Sequence, residues 1–216
     1  MTDIQQLPPE LTTGPHEAIL EAARDLIAAG GIEAMSMRAV AERVGVSATA
    51  IYHHYANKQA LVDAVVRVAF ERFGAEMQAA VEREPQGSLR RVRAFGEAYV
   101  RFAMEHEAYF RIIFSIAAPT LRNIDELPAG GGYPLLRATI EGAMASGQMR
   151  SADPDIMAHY LWAHVHGVVT LALSCRLEKC PQCKGGEPQV PLQMFRVFQP
   201  LLREGIAGPA AHGEDA

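Results

Sequence analysis

The chain has 216 residues, 49% of them hydrophobic, and a formal net charge of −5. That length suits one large domain or two small ones sharing a helical spine. The acidic balance excludes a nonspecific coater of polyanions but leaves room for a local DNA surface. The opening MTDIQQLPPELTTG has no apolar leader, and no uncharged apolar run reaches about 18 residues. Neither a secretory signal nor a membrane partner is therefore expected, and the expected location is cytoplasmic. Alanine, leucine, glutamate, arginine and methionine dominate, and period-two alternation is scarce, which predicts an all-α fold.

Residues 1–14 read as a flexible arm, since Pro8, Pro9 and Gly14 disfavour regular structure. Pro15 suits a first helical turn, and the helix runs to about Ala29 with Ala18, Ala22, Leu26 and Ala29 as its buried stripe, flanked by Ile19 and Ala23. Gly30-Gly31 ends it and Ile32 plugs the small core. Ser36 caps a second helix to about Arg43, with Val40, Ala41 and Val44 inward; Gly45 supplies a turn over Val46. Ser47 caps a third helix from Ala48 to about Tyr55, and a long fourth helix runs from Lys58 to about Glu84, stopped by Pro85 and Gly87. Further helices follow at Ser88–Met104, Glu107–Ala117 and Tyr133–Ser146. Asp153 caps one more from Pro154 to about Ser174, and Val190–Glu204 closes the series. Pro119–Gly132 and Cys175–Pro188 are irregular, and residues 207–216 form a flexible tail.

Two short helices joined at Gly45 make a helix-turn-helix, so residues 15–60 are read as a DNA-binding domain. Between Ser36 and Lys58 the charge reverses, with Arg38, Arg43 and Lys58 against Glu42 alone, although Glu17, Glu21 and Asp25 make the first helix acidic. The third helix exposes Ala48, Thr49 and His53, with Tyr52 and His54 beside them. Thr49 suits a phosphate or a thymine methyl, and Ala48 a close apolar approach to such a methyl. The helix start at Ser47 and the amine of Lys58 suit backbone phosphates, which position a protein on the duplex without reading its sequence. The third helix has no arginine or glutamine for bidentate purine contacts, so shape, spacing and dimer symmetry carry more of the discrimination.

The run ILEAARDLIAAGGIEAMSMRAVAERVGVSATAIYHHYANKQALVDAV resembles the N-terminal DNA-binding domain of the TetR family of bacterial transcriptional regulators. The resemblance covers roughly Glu17–Val66. It rests on an AxxLIxxxG pattern ending in Gly31, on SMRAVAERVGVS and on IYHHYANKQAL. It implies that Ser36, Thr49, Tyr52, His53 and Lys58 contact double-stranded operator DNA, with Arg38, Ser47, Ala48 and His54 as further candidates. His53 and His54 stand where the family varies, so no operator sequence carries over.

Residues 61–206 are then read as a helical regulatory and dimerisation domain. Trp162–Leu173 is apolar nearly all round, and Leu192, Phe195, Val197, Phe198 and Leu201 follow on the last helix. Two such helices packed about a two-fold axis would make a homodimer. WAHVHGVV resembles the WHG-type C-terminal region of one branch of the family, with Trp162, His166 and Gly167 matching. A ligand pocket is expected among Tyr99, Phe102, Met104, Tyr109, Phe110, Phe114, Trp162 and His166, lining that suits a small apolar or aromatic effector.

Cys175, Cys180 and Cys183 fall within nine residues, the last two as CxxC. Three thiolates can hold zinc or another soft metal, and Arg176, Lys179 and Lys184 favour thiolates for a redox role; a passive loop is the third alternative. No cofactor is otherwise required. With no glycine-rich nucleotide loop, HExxH or nucleophile elbow, the chain is not read as an enzyme. The function expected is a sequence-specific transcriptional regulator, a repressor released by its effector; the alternative is a metal- or thiol-responsive regulator using the three cysteines.

Overall fold

The computed structural model describes residues 14–116, 132–173 and 190–208. They form nine α-helices: α1 Pro15–Ala34, α2 Met37–Val44, α3 Ala48–His54, α4 Lys58–Glu82, α5 Leu89–Glu105, α6 Glu107–Arg111, α7 Tyr133–Ala145, α8 Pro154–Leu173 and α9 Val190–Ile206. The expected all-α fold is observed. The arm at 1–13, the residues 117–131 and 174–189 with the three cysteines, and the last eight residues lie outside the described ones.

The helix boundaries have local causes. Pro15 opens α1, where its missing N–H costs no hydrogen bond. Gly31 breaks α1 near its end with φ 77° and ψ 178°, so Ile32–Ala34 is a separate turn. Ser36 Oγ accepts from Ala39 N at 3.1 Å, Ser47 Oγ from Ala50 N at 3.2 Å and Asn57 Oδ1 from Ala60 N at 2.9 Å, capping α2, α3 and α4 in turn. Asp153 Oδ1 accepts from both Asp155 N and Ile156 N ahead of α8. Gly45 sits at φ 80°, ψ 29°, the left-handed conformation that a side chain disfavours, and turns the chain from α2 towards α3.

The chain divides into two compact units. The first holds residues up to Glu71 together with a segment that starts at Glu107; the second holds Arg72–His106 and the chain from Ala129 on. The division falls inside α4, eleven residues past the boundary read from the sequence.

In the first unit, α1 packs on α2 and α6, and α2 on α3. The buried face of α1 is Ala18, Ile19, Ala22, Ala23 and Ile27; the first four belong to the expected stripe, which departs only at its end, where Leu26 is half-buried and Ala29 exposed. Alanine occupies several faces of this helix, so tertiary neighbours rather than periodicity select the side that is covered. Met35 and Met37 fill the place assigned to Ile32, which is half-buried, as are Val44 and Val46. The single helix expected from Glu107 is instead the short α6 followed by a π-helical turn, Ile112–Ile116.

In the second unit, α5 packs against α7, α8 and α9. Its buried face carries Phe95, Tyr99, Phe102 and Ala103, with Phe73 of α4 lying edge-on to Tyr99 and Phe102 at 5.4 and 5.1 Å between centroids. Burying each such ring contributes about 1.5–3 kcal/mol. Met149 and Ala207 form an antiparallel bridge, with Arg150 N donating to Ile206 O at 2.9 Å and Gly208 N to Gln148 O at 2.8 Å. Ala207, assigned to the tail from sequence, is thereby clasped.

By length and composition α8 could cross a bilayer, with mean hydropathy 1.3, and 28% of that window is buried inside the structure. The covered side carries Val165, Val168 and Val169; Ile156, Tyr160 and Leu171 are exposed.

Replacing Gly45 by alanine should cost about 1–2 kcal/mol, and Ser36→Ala about 1 kcal/mol. Both are read from chemical denaturation of the full chain.

Candidate nucleic-acid interface and ligand cavity

A helix as short as α3 stays helical by being held. Ile51 is fully buried, and one turn on Tyr55, the C-cap residue, is buried too. The Tyr55 phenol bonds His16 Nε2 at 2.8 Å and the two rings stack at 5.5 Å between centroids, so α1 grips the end of α3. Burial pushes the Tyr55 phenol up from its ordinary pKa. Since Ile51 and Tyr55 fix one side, Thr49, Tyr52 and His53 share the other. All three are exposed, and Tyr52 keeps 53% of its surface open.

The remaining DNA candidates surround that face within the same unit. His54 is exposed, and Ala48 and Lys58 are half-buried. Ser36 and Ser47 are exposed and their hydroxyls serve as caps. A hydroxyl that accepts one N–H still has its own O–H to donate to a phosphate. Arg38 pairs with Glu42 at 2.9 Å, Arg43 with Asp25 at 3.3 Å, and Lys58 lies 3.9 Å from Glu33. Asp25 also receives Arg24 at 2.7 Å. The acidic side chains are thus partly neutralised in place. Exposed pairs of this kind are worth at most about 1 kcal/mol, so the arginine and lysine can exchange them for phosphate.

Among the residues expected to line a pocket, the structure brings Tyr99, Trp162 and His166 together in the second unit. Trp162 Nε1 donates to Tyr99 Oη at 3.3 Å, and Tyr99 Oη lies 2.8 Å from His166 Nδ1. Indole N–H is a donor only, so the phenol oxygen accepts from Trp162, while its other short contact faces the imidazole Nδ1 of His166. Burial pushes the Tyr99 phenol far up and lowers the His166 pKa, so both stay neutral. Phe102 is buried beside them and Met104 is half-buried. Tyr109, Phe110 and Phe114 belong to the first unit, where Arg24 lies 5.1 Å over the Tyr109 ring and Phe110 lies 4.7 Å from Phe114.

None of those eight residues lines the cavity in the second unit, which has a volume of about 410 Å³. Its walls come from α5, α7, α8 and α9. Leu89, Val92 and Phe95 of α5 face Leu161 and Val165 of α8, and Phe195 of α9. Phe195 rests on the bare backbone of Gly96, where an added Cβ would come within 2.2 Å of its ring. Arg90, Arg93, Arg196 and Arg203 also line it, with His164 and Gln148 among the other polar residues. Sequence reasoning passed over these arginines. Their signal is Arg90 and Arg93 three apart on α5, and Arg196 and Arg203 seven apart on α9, each pair beside apolar positions at helical spacing. Among the described residues, no group of three metal-ligating side chains is gathered.

Capped helices joined at a left-handed glycine, with one face pinned and the other open, define a helix-turn-helix protein with a helical second unit. The family model described as "Bacterial regulatory proteins, tetR family" matches residues 19–65, and "Tetracyclin repressor-like, C-terminal domain" matches residues 92–182, together more than half the chain. The HTH-type transcriptional regulator UidR of Escherichia coli strain K12 is 31% identical over 107 residues, 49% of this chain and 51% of that relative. The chain thus spans about half the length of that relative. Two solved structures share the fold: a protein of unknown function from Rhodococcus sp. RHA1 (24% identity, TM-score 0.69, covering 92% of this chain and 98% of that one) and the ketosteroid transcriptional regulator KstR2 of Mycobacterium tuberculosis (18% identity, TM-score 0.68, covering 94% and 99%). The chain belongs to the tetR family of bacterial regulatory proteins, whose members are DNA-binding regulators rather than enzymes.

The neutral His166 gives stability a pH dependence. Its folded pKa lies below the unfolded value of about 6.5, so between those values the unfolded chain holds a proton that the folded one lacks. Stability should be complete above pH 6.5 or so and fall with pH below it. His164, lowered by burial in the same way, adds to the slope. Melting midpoints across pH 5–7.5 should show a shallower dependence for His166→Gln than for the parent chain.

Proposed function

We propose that this protein is a homodimeric, sequence-specific operator-binding repressor of the cytoplasm, released when a small effector occupies its second unit. The observation that carries the reading is the open face of α3. Thr49, Tyr52 and His53 stand exposed on a helix whose opposite side is pinned by Ile51 and Tyr55. A residue as apolar as Tyr52, more than half open beside hydroxyl and imidazole groups, suits a groove edge and sugar-phosphate contact. Lys58, Arg38 and the serine hydroxyls at 36 and 47 would then hold the backbone, with Ala48 and His54 at the margins.

The uncovered face of α8 supports a second copy as partner. Ile156, Tyr160 and Leu171 recur along one side, and Val197 is exposed on α9. A Cβ built on Gly167 meets no described atom within 4 Å, so close approach there is available to another chain. The opposite side of α8 packs on α5, α7 and α9, and Asp153 and Asp155 stand at its start; both suit a partner helix better than lipid. Two copies related by a two-fold axis would present two α3 helices to half-sites about one helical turn apart. Effector binding would act by favouring a dimer whose α3 spacing no longer fits. The 410 Å³ apolar-walled cavity and the Tyr99–Trp162–His166 cluster supply the receiving surfaces.

Saturable, salt-sensitive binding of the full chain to a palindromic site upstream of its own gene, or to sites recovered by genome-wide pull-down, tests the reading. Tyr52→Ala and Lys58→Ala should each weaken operator binding by about 1–3 kcal/mol without moving the melting midpoint. No site from either search would overturn it. Gly167→Leu should keep the helical circular dichroism signal and shift the sedimenting species towards monomer; an unchanged dimer would remove α8 from the interface.

A further inference from the structure

We infer that the cavity walled by α5, α7, α8 and α9 receives an amphipathic anion, an apolar chain or ring ending in a carboxylate or phosphate. The inference rests on the second unit being the effector domain and names the chemistry of that effector. Among the described residues the lining contains four arginines and no aspartate or glutamate, in a chain whose net charge is −5. Arg93 and Arg196 are held at 3.5 and 3.2 Å by Glu97, a carboxylate only 15% exposed that lies outside the lining. Arg90 has no ion pair among the described residues. Guanidinium groups stay charged at any physiological pH, and their planar forks match carboxylate and phosphate oxygens.

The rest of the cavity fixes the other half of the ligand. Phe95, Leu136, Val165 and Phe195 offer no polar side-chain atom, and the volume of about 410 Å³ suits a small ligand. A purely apolar ligand would leave Arg90, at the rim, without a counter-charge. A small polar anion would leave the apolar wall wet. A molecule with both parts satisfies both. Its head would meet Arg90 on α5, at a cavity that Arg196 and Arg203 of α9 also line, and α9 is the helix that exposes Val197 to a second copy. Occupancy and dimer geometry would therefore share one helix.

Calorimetric titration of the full chain with decanoate, decyl phosphate and decanol tests the inference, with operator binding of the same preparation measured in parallel. Decanoate, decyl phosphate or both should bind at least about tenfold more tightly than decanol. The stronger anion distinguishes a carboxylate effector from a phosphate one. Arg90→Gln, and Arg90→Gln with Arg203→Gln, should shrink that preference stepwise while decanol binding holds. Val165→Trp should abolish binding of all three with the helical signal intact. Equal binding of decanol and the anions, or a preference that survives the double variant, overturns the anion assignment. Failure of all three probes to bind a preparation that still binds its operator overturns the cavity as the effector site and leaves the regulator reading standing. Absence of operator binding sinks the regulator reading instead.

Discussion

The first unit is organised around the difficulty of keeping a seven-residue helix in one place. An isolated helix of that length is unstable in water, because too few hydrogen bonds repay its nucleation. Here α3 is capped by Ser47 at its start, anchored by Ile51 in its middle and followed directly by Tyr55, whose phenol reaches His16 on α1. α1 and α2 meet behind it, and Asn57 starts α4 immediately afterwards. The exposed side of α3 is thus free of structural duty.

The second unit answers a different constraint. α8 is apolar on more sides than one chain covers, so its residues divide between internal packing and an open face. Its polar groups follow the same division. Trp162 and His166 turn to Tyr99 on α5, where both meet a buried phenol. His159 lies with Tyr133 of α7 at the helix start, 5.3 Å between ring centroids. Asp155 accepts from the Tyr133 hydroxyl at 3.0 Å and the Arg137 guanidinium at 2.9 Å, and both bonds hold its carboxyl below the usual range; burial, and then the bond to Asp155, push the Tyr133 phenol up to about 12. These bonds orient α8 about its own axis, which decides which residues remain outside.

What could be read from sequence was what acts over a few residues. Ser36, Ser47 and Asp153 cap the helices they precede, and Gly45 turns the chain, because each effect is completed within three or four positions. The face of α1 was legible at Ala18, Ile19, Ala22 and Ala23 and missed at Leu26, Ile27 and Ala29, where alanine on several sides gives periodicity little to select. The π-helical turn after α6 was invisible because its Ile-Ile-Phe run suits either helix. The cavity was out of reach for a further reason: it depends on α5 and α9 lying side by side, with Glu97 meeting Arg196 across 99 positions of chain. Of the aromatic residues expected to line a pocket, Tyr99 and Phe102 are buried edge-on to Phe73.

The bridge between Met149 and Ala207 ties the last described turn of the chain into the second unit. Synthesis runs from the N-terminus, and every described residue of the first unit has been made by Ile116, whereas α9 follows every other described helix. The wall that closes the cavity is therefore made after the rest of the described fold. A chain cut within α9 would keep every described residue of the first unit and lose the arginines at 196 and 203 or the clasp that seats them. Such a fragment would keep the exposed face of α3 and lack a complete cavity.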